Sequence, residues 1–250
     1  GGYMIITNRF KKIFFSILIF VLIWTSGIYI TQKVRVFGTS STDLINPQVQ
    51  TFDEIMNVSG EITIEKKLFS FRKHYYVLSD GVWVGEVTGK LFPIFGDTLK
   101  LKDIHGNLIK KENQIKRLGL TQVKLFNLSI DRLAQVEDSN GNITGYIGEQ
   151  KLTDFWRLKR VEHFYNASYK KLGRGIPDSI ILCRDYKIFD NDDNVDYIID
   201  GSIFSPTHKY KITINDTSDI DVEDAIFYTI IENSIRNDKL KESNSNKGKK

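Results

Sequence analysis

The sequence predicts a mainly β domain, an antiparallel barrel wrapped around one hydrophobic C-terminal α-helix and preceded by one N-terminal transmembrane helix. Three observations carry this expectation. Residues 225–231 (Ala-Ile-Phe-Tyr-Thr-Ile-Ile) are an uncharged, mostly apolar run flanked by helix-start chemistry. Between 61 and 215, short β-rich runs repeatedly end in Asp/Asn/Gly turns. Residues 13–32 carry no charge.

The late helix organises the rest. Ser218 or Asp219 can cap its start, and Asp221, Glu223 and Asp224 suit the positive end of its dipole. Arg236 suits the negative end. Ala225, Ile226, Phe227, Ile230 and Ile231 make it apolar around most of its circumference, so it should be buried on nearly all sides. Short strands can bury such a helix by closing around it.

Length and composition set the frame. The chain has 250 residues, 41% hydrophobic and 26% charged, with a net charge of +4. That is globular, and the charge is too slight to demand a nucleic acid. The single cysteine, Cys183, excludes an internal disulfide. Its apolar run, 180–183, places it in a buried strand.

Taken in order, residues 1–12 are expected to be cytoplasmic or tag-derived. Residues 13–32 would span roughly 30 Å as a helix, the thickness of the hydrocarbon layer. Trp24 and Tyr29 lie toward its far end, as interfacial aromatics do. A cleaved signal peptide is the alternative, but Thr25-Ser26-Gly27 is a poor cleavage site and the run is long, which favours a single-pass anchor. Arg9, Lys11 and Lys12 before the run, against Lys33 and Arg35 after it, place the main domain on the extracytoplasmic side.

Residues 33–60 read as a linker, with a short helical turn around Asp53–Asn57. The domain body runs from 61 to 236. Its clearest strands are 62–64, 74–78, 82–87, 99–102, 133–136, 186–189 and 209–214. Turns fall at Ser79-Asp80-Gly81, Asp103–Asn107, Asp138–Asn142 and Asp190–Asn194, where Gly and Asn accept tight hairpin geometry. Pro93, Pro177 and Pro206 fall between strand runs. Residues 237–250 form a polar, basic tail expected to be disordered.

Residues 62–109 resemble the opening of the LURP-one-related family, part of the tubby C-terminal-like and phospholipid scramblase superfamily. The matching features are Lys67-Leu68-Phe69-Ser70, the Asp80-Gly81 turn, Gly89-Lys90-Leu91, Gly96-Asp97 and Asp103-x-x-Gly106-Asn107. Residues 210–214 (Tyr-Lys-Ile-Thr-Ile) followed by the apolar helix resemble the family's end. The resemblance covers about residues 61–236. It implies a closed antiparallel barrel of about twelve strands around a central C-terminal helix. The membrane segment and residues 145–176 depart from the family pattern, and the strand number in 145–176 is left open.

No motif carries catalysis, so the chain is read as a non-enzyme without a cofactor. His74, His105, His163 and His208 are far apart, and His105 belongs to a turn. There is no phosphate loop, nucleophile elbow or Cys–His pair. Asp190, Asp192, Asn194 and Asp196 have the alternate spacing of a calcium loop, but Gly201 stands where the closing Glu should be, so a hairpin turn is favoured. The family's scramblase relatives are associated with calcium, but their carboxylate motif does not match here. The Lys/Ile/Asn-rich composition suggests a bacterial chain, in which the sequons at Asn57, Asn127, Asn142, Asn166 and Asn215 carry no meaning.

Basic residues cluster at Lys110-Lys111, Lys116-Arg117, Arg157-Lys159-Arg160 and Lys170-Lys171-Arg174. Most such runs are solvated faces. If they converge on one barrel face, they could hold anionic lipid headgroups. Tubby-like relatives bind phosphoinositides, which makes this an expectation by analogy. Nucleic acid is not expected, because aromatic residues do not interleave with these clusters. The leading expectation is a membrane-anchored binding module for anionic phospholipid. The alternative is an envelope assembly protein presenting a protein-binding barrel face. Lipid transfer or scrambling is weaker, since the central helix fills the barrel.

Overall fold

The computed structural model describes residues 14–27, 29–30, 50–68, 70, 72–90, 98–114, 123–125, 128–150, 161–177, 185–201, 209–215 and 219–247. The chain divides into two compact units, residues 1–40 and 41–250.

In the first unit, residues 14–27 and 29–30 are helical (α1). Phe14, Phe15, Ile17, Leu18, Ile19, Phe20, Val21, Leu22, Ile23 and Trp24 are all exposed. Among the described residues, no helix is long and apolar enough to cross a membrane. Residues 13, 28, 31 and 32 of the expected span lie outside the described residues.

The second unit is a closed antiparallel barrel. Its strands are β1 (Glu61–Lys66), β2 (His74–Ser79), β3 (Val82–Gly89), β4 (Thr98–Asp103), β5 (Leu108–Gln114), β6 (Val123–Leu125) and β7 (Leu128–Asp138). They continue with β8 (Ile143–Gln150), β9 (Glu162–Asn166), β10 (Lys171–Pro177), β11 (Tyr186–Asp190), β12 (Val195–Gly201) and β13 (Lys209–Ile214). Neighbours in sequence pair as hairpins or meanders, except β5 with β6, and two further joins complete the sheet. One is β1 with β13, which aligns Ile62 with Ile212 and Ile64 with Tyr210. The other is β5 with β7, which closes the ring. Of thirteen described strands, only β6 stands outside, leaving twelve in the closed ring. The long strand β7 makes this work, holding β6 with Leu128–Ile130 and β5 with Ala134–Asp138.

The barrel is filled by helix α3 (Val222–Lys247). Ala225, Ile226, Phe227, Tyr228 and Ile230 are buried and pack against the inward residues Ile62, Ile64, Val77, Leu101, Val136 and Ile188. Burial of the larger apolar side chains, Ile226, Phe227 and Ile230, contributes about 1.5–3 kcal/mol each. Ile231 is only partly buried. The cap is Asp221, whose carbonyl accepts from the amides of Asp224 and Ala225. Asp219 lies too early for that role, and Ser218 lies outside the described residues.

Three sequence expectations are corrected. The helix runs to Lys247, through most of the tail expected to be disordered, because extending an anchored helix adds a hydrogen bond per residue without a new nucleus. The segment 33–60 is not all linker: helix α2 (Phe52–Val58), capped by the side chain of Thr51, buries Phe52, Ile55 and Met56 in the core. Pro177 ends β10 instead of lying between strands, at a terminal position where its missing N–H is tolerated. Cys183, Pro93 and Pro206 lie outside the described residues. The open interval 145–176 supplies most of β8, all of β9 and most of β10.

Glycine makes room for the helix on β10. A Cβ on Gly175 would meet Cζ of Tyr228 at 2.4 Å. The Tyr228 ring is also held by Phe164 at 5.6 Å and Tyr186 at 5.9 Å, so it cannot step aside. The Gly175→Ala substitution should therefore cost about 1–3 kcal/mol, read as a lowered urea midpoint. An unchanged midpoint would contradict this packing.

Candidate functional site

Each group of residues singled out by the sequence has a definite place. Lys110 and Lys111 are consecutive on β5, so they point to opposite faces. Lys110 points inward and is only 6% exposed. Its Nζ lies 2.8 Å from a carboxylate oxygen of Asp221 and 2.8 Å from one of Asp224, at the N-terminus of α3. It therefore cannot belong to a headgroup-binding surface. Lys111 points outward, and its Nζ donates to Glu137 at 2.8 Å. Glu137 also accepts from Asn113 at 2.6 Å and Gln135 at 3.0 Å, and the hydrogen bond from Lys111 leads in holding its pKa below the ordinary carboxylate range.

Lys170, Lys171 and Arg174 come together on the β9–β10 hairpin. Lys170 is exposed and Lys171 is half-buried. Arg174 donates to Asp193 at 2.5 Å and lies 5.2 Å from the Phe189 ring centroid. Lys116, Arg117, Arg157, Lys159 and Arg160 lie outside the described residues.

The calcium-like spacing belongs to a turn that the barrel builds four times. Asp103, Asp138, Asn166 and Asp190 each end a strand, and each Oδ1 accepts amides two and four residues later at 2.8–2.9 Å. At Asp103, Asp138 and Asp190 an Asn four residues on also donates its Nδ2 to Oδ2. The carboxylate of Asp190 is thus used by its own turn, and the hydrogen bond from Asn194 lowers its pKa. Asp192 and Asn194 are exposed, while Asp196 is buried at a bulge in β12. His105 takes the turn position expected of it. Elsewhere, His74 faces Glu86 at 2.7 Å, and burial lowers its pKa. His163 lies beside Tyr165, and His208 lies outside the described residues.

Sequence reading missed two features. One is the Asn166 turn, which begins with Asn in place of Asp and lacks the closing Asn that the other three share. The other is the ionic cluster around Lys110. Three carboxylates, Asp221, Glu223 and Asp224, surround one ammonium there. Burial opposes the charge on Lys110, but Asp224, Asp221 and Glu223 together outweigh it and raise its pKa. Burial raises the pKa of both Glu223 and Asp224 against the pull of Lys110. Loss of water around the carboxylates leads in both shifts, and the neighbouring carboxylates add to it. The buried phenol of Tyr197, which donates to the Ile220 carbonyl, is raised as well. At the other end of the buried helix, Tyr210 donates to Asn233 at 2.7 Å.

No family model matches the chain, and no curated protein matches it. A crystal structure of an Arabidopsis thaliana protein is similar at 11% identity, covering 78% of this chain and 99% of that one, with a TM-score of 0.41.

The cluster makes stability depend on pH. A carboxyl whose pKa is raised in the fold contributes stability below its unfolded value, and that stability is lost as pH rises through the folded value. Acidification from about pH 7 to about pH 5 should therefore favour the wild type more than the Glu223→Gln variant, measured as the change in urea midpoint. His74 works the other way, since its pKa is lowered, but it is common to both proteins and cancels. An equal response of the two proteins would show that Glu223 is not shifted.

Proposed function

We propose that this chain is a membrane-tethered, non-enzymatic binding module whose barrel recognises anionic phospholipid headgroups at the membrane surface. The observation that carries the reading is α1, where Phe14, Phe20, Ile23 and Trp24 are exposed in an apolar run from Phe14 to Trp24 that Ser16 alone interrupts. An exposed apolar surface of that extent marks contact with a membrane or a protein. Together with its uncharged flanks, 13–32 is long enough to be a single-pass anchor, with the barrel on the extracytoplasmic side.

The barrel is read as a tubby-like, LURP-one-related domain on the motifs given above. Its axis is occupied by α3, which favours recognition at the outer surface over a lipid carried inside. Transfer or scrambling is the weaker reading for the same reason. The basic residues retained for headgroup contact are Lys116, Arg117, Arg157, Lys159, Arg160, Lys170, Lys171 and Arg174, with Lys111 contributing only if it leaves Glu137. Lys110 is withdrawn from the set. The second reading, an envelope assembly protein, has the same tether but a protein partner on the barrel.

Co-sedimentation with vesicles tests the proposal. The full chain should sediment with phosphatidylcholine vesicles through 13–32. Residues 41–250 should sediment only when phosphatidylserine is added, and less as salt screens the contact. Failure of residues 41–250 to bind at low salt would overturn headgroup recognition and leave the assembly reading.

A further inference from the structure

The β9–β10 hairpin departs from the other copies of its turn at the left-handed position. In the turns at Asp103 and Asp138 the left-handed residue is Gly106 (φ +86°) and Gly141 (φ +86°), and at Asp190 it is Asp193 (φ +67°). Glycine takes that conformation freely, and Asp tolerates it. In the β9–β10 turn the same position holds Tyr169 at φ +61°. A bulky side chain there is strained and persists only where the surroundings enforce it.

The surroundings are visible. The Tyr169 ring stacks on Tyr146 with centroids 4.3 Å apart and planes 16° from parallel. Tyr146, Leu133 and Tyr165 form a small cluster separate from the main core, on the outer face of the barrel. Burial, then the hydrogen bond with Tyr169, pushes the Tyr146 phenol up to about 12. Tyr169 itself stays half-buried at the hairpin tip, between exposed Ala167 and Ser168 on one side and exposed Lys170 on the other. Lys171 follows, so the tip combines a rigidly held aromatic with positive charge. A ring with an apolar body and a hydroxyl tip suits a membrane–water boundary, and lysines beside it suit anionic headgroups.

We propose that the tip of the β9–β10 hairpin, Tyr169 with Lys170, is where the barrel docks onto an anionic bilayer. This rests on the reading that the barrel meets a membrane surface. Tyr169 enters the interfacial layer, and Lys170, backed by Lys171, holds phosphate-bearing headgroups around it. The backbone strain is the cost of presenting a tyrosine where the turn alone calls for glycine.

The test uses residues 41–250 with vesicles of phosphatidylcholine and phosphatidylserine. Lys170→Glu should weaken binding about tenfold at low salt, since an attraction becomes a repulsion. Tyr169→Gly, which relaxes the backbone, should also weaken binding about tenfold by removing the interfacial ring. The Tyr169→Trp variant should bind like the wild type, and brominated acyl chains should quench its fluorescence beyond the background of Trp83 and Trp156. Wild-type binding by both weakened variants, or no added quenching, would overturn this docking site while leaving the membrane reading intact. A wild type that binds no vesicle would overturn both.

Discussion

Lys110 reaches from the barrel wall to the first turn of the central helix, and its ammonium lies between Asp221 and Asp224. Everything else in the barrel interior is arranged around a helix whose depth and rotation this contact fixes. Apolar packing alone is non-directional and would tolerate a helix rotated or shifted by a residue. A buried ammonium does not tolerate it, because a lysine left without its carboxylates would have to shed its charge or unfold. The same geometry explains why the carboxylates crowd the N-terminus, where the helix dipole lowers the cost of their charge. Asn233, accepting from Tyr210, sets the far end of the buried segment in a second polar contact. Between the two, the helix can be almost wholly apolar and still have one position.

Closure of the ring depends on this plug as well. A barrel of twelve strands needs something to fill its axis, and here the filling is supplied by the chain that follows β13. Pairing of β1 with β13 brings the end of the sheet beside its start and delivers α3 to the interior. Helix α2 then adds Phe52, Ile55 and Met56 to the same core. Gly175 gives up its side chain where Tyr228 passes. The interior is consequently a core.

Much of that architecture was legible in particular residues. The run 225–231 announced a helix buried on all sides, because no polar stripe was left for solvent. Asp103, Asp138 and Asp190 announced hairpins, because Asp with a following Gly or Asn closes a turn with its own side chain. The stripe Phe52, Ile55, Met56 was also readable as a core-facing helix, yet the polar neighbours in 38–60 made the segment look like linker. The inward direction of Lys110 was not readable: Leu108-Ile109-Lys110-Lys111-Glu112-Asn113 has no apolar alternation, so nothing in it assigns a face. The pairing of β5 with β7 leaves no mark on composition, since a ladder is made of backbone. The Asn166 turn was hidden because it begins with Asn in place of Asp and lacks the closing Asn that the other three share.

Native-state hydrogen exchange across residues 225–233 tests the central claim most directly. If the helix is locked in a closed barrel by Lys110 and by packing, its amides should exchange only through global unfolding, with the same free energy and denaturant dependence as Ile64, Leu101 and Ile188 in the wall. Exchange of the helix amides at much lower free energy than the wall, insensitive to denaturant, would show a helix that leaves the barrel while the strands stay paired. That result would contradict the account and reopen the interior as a binding space.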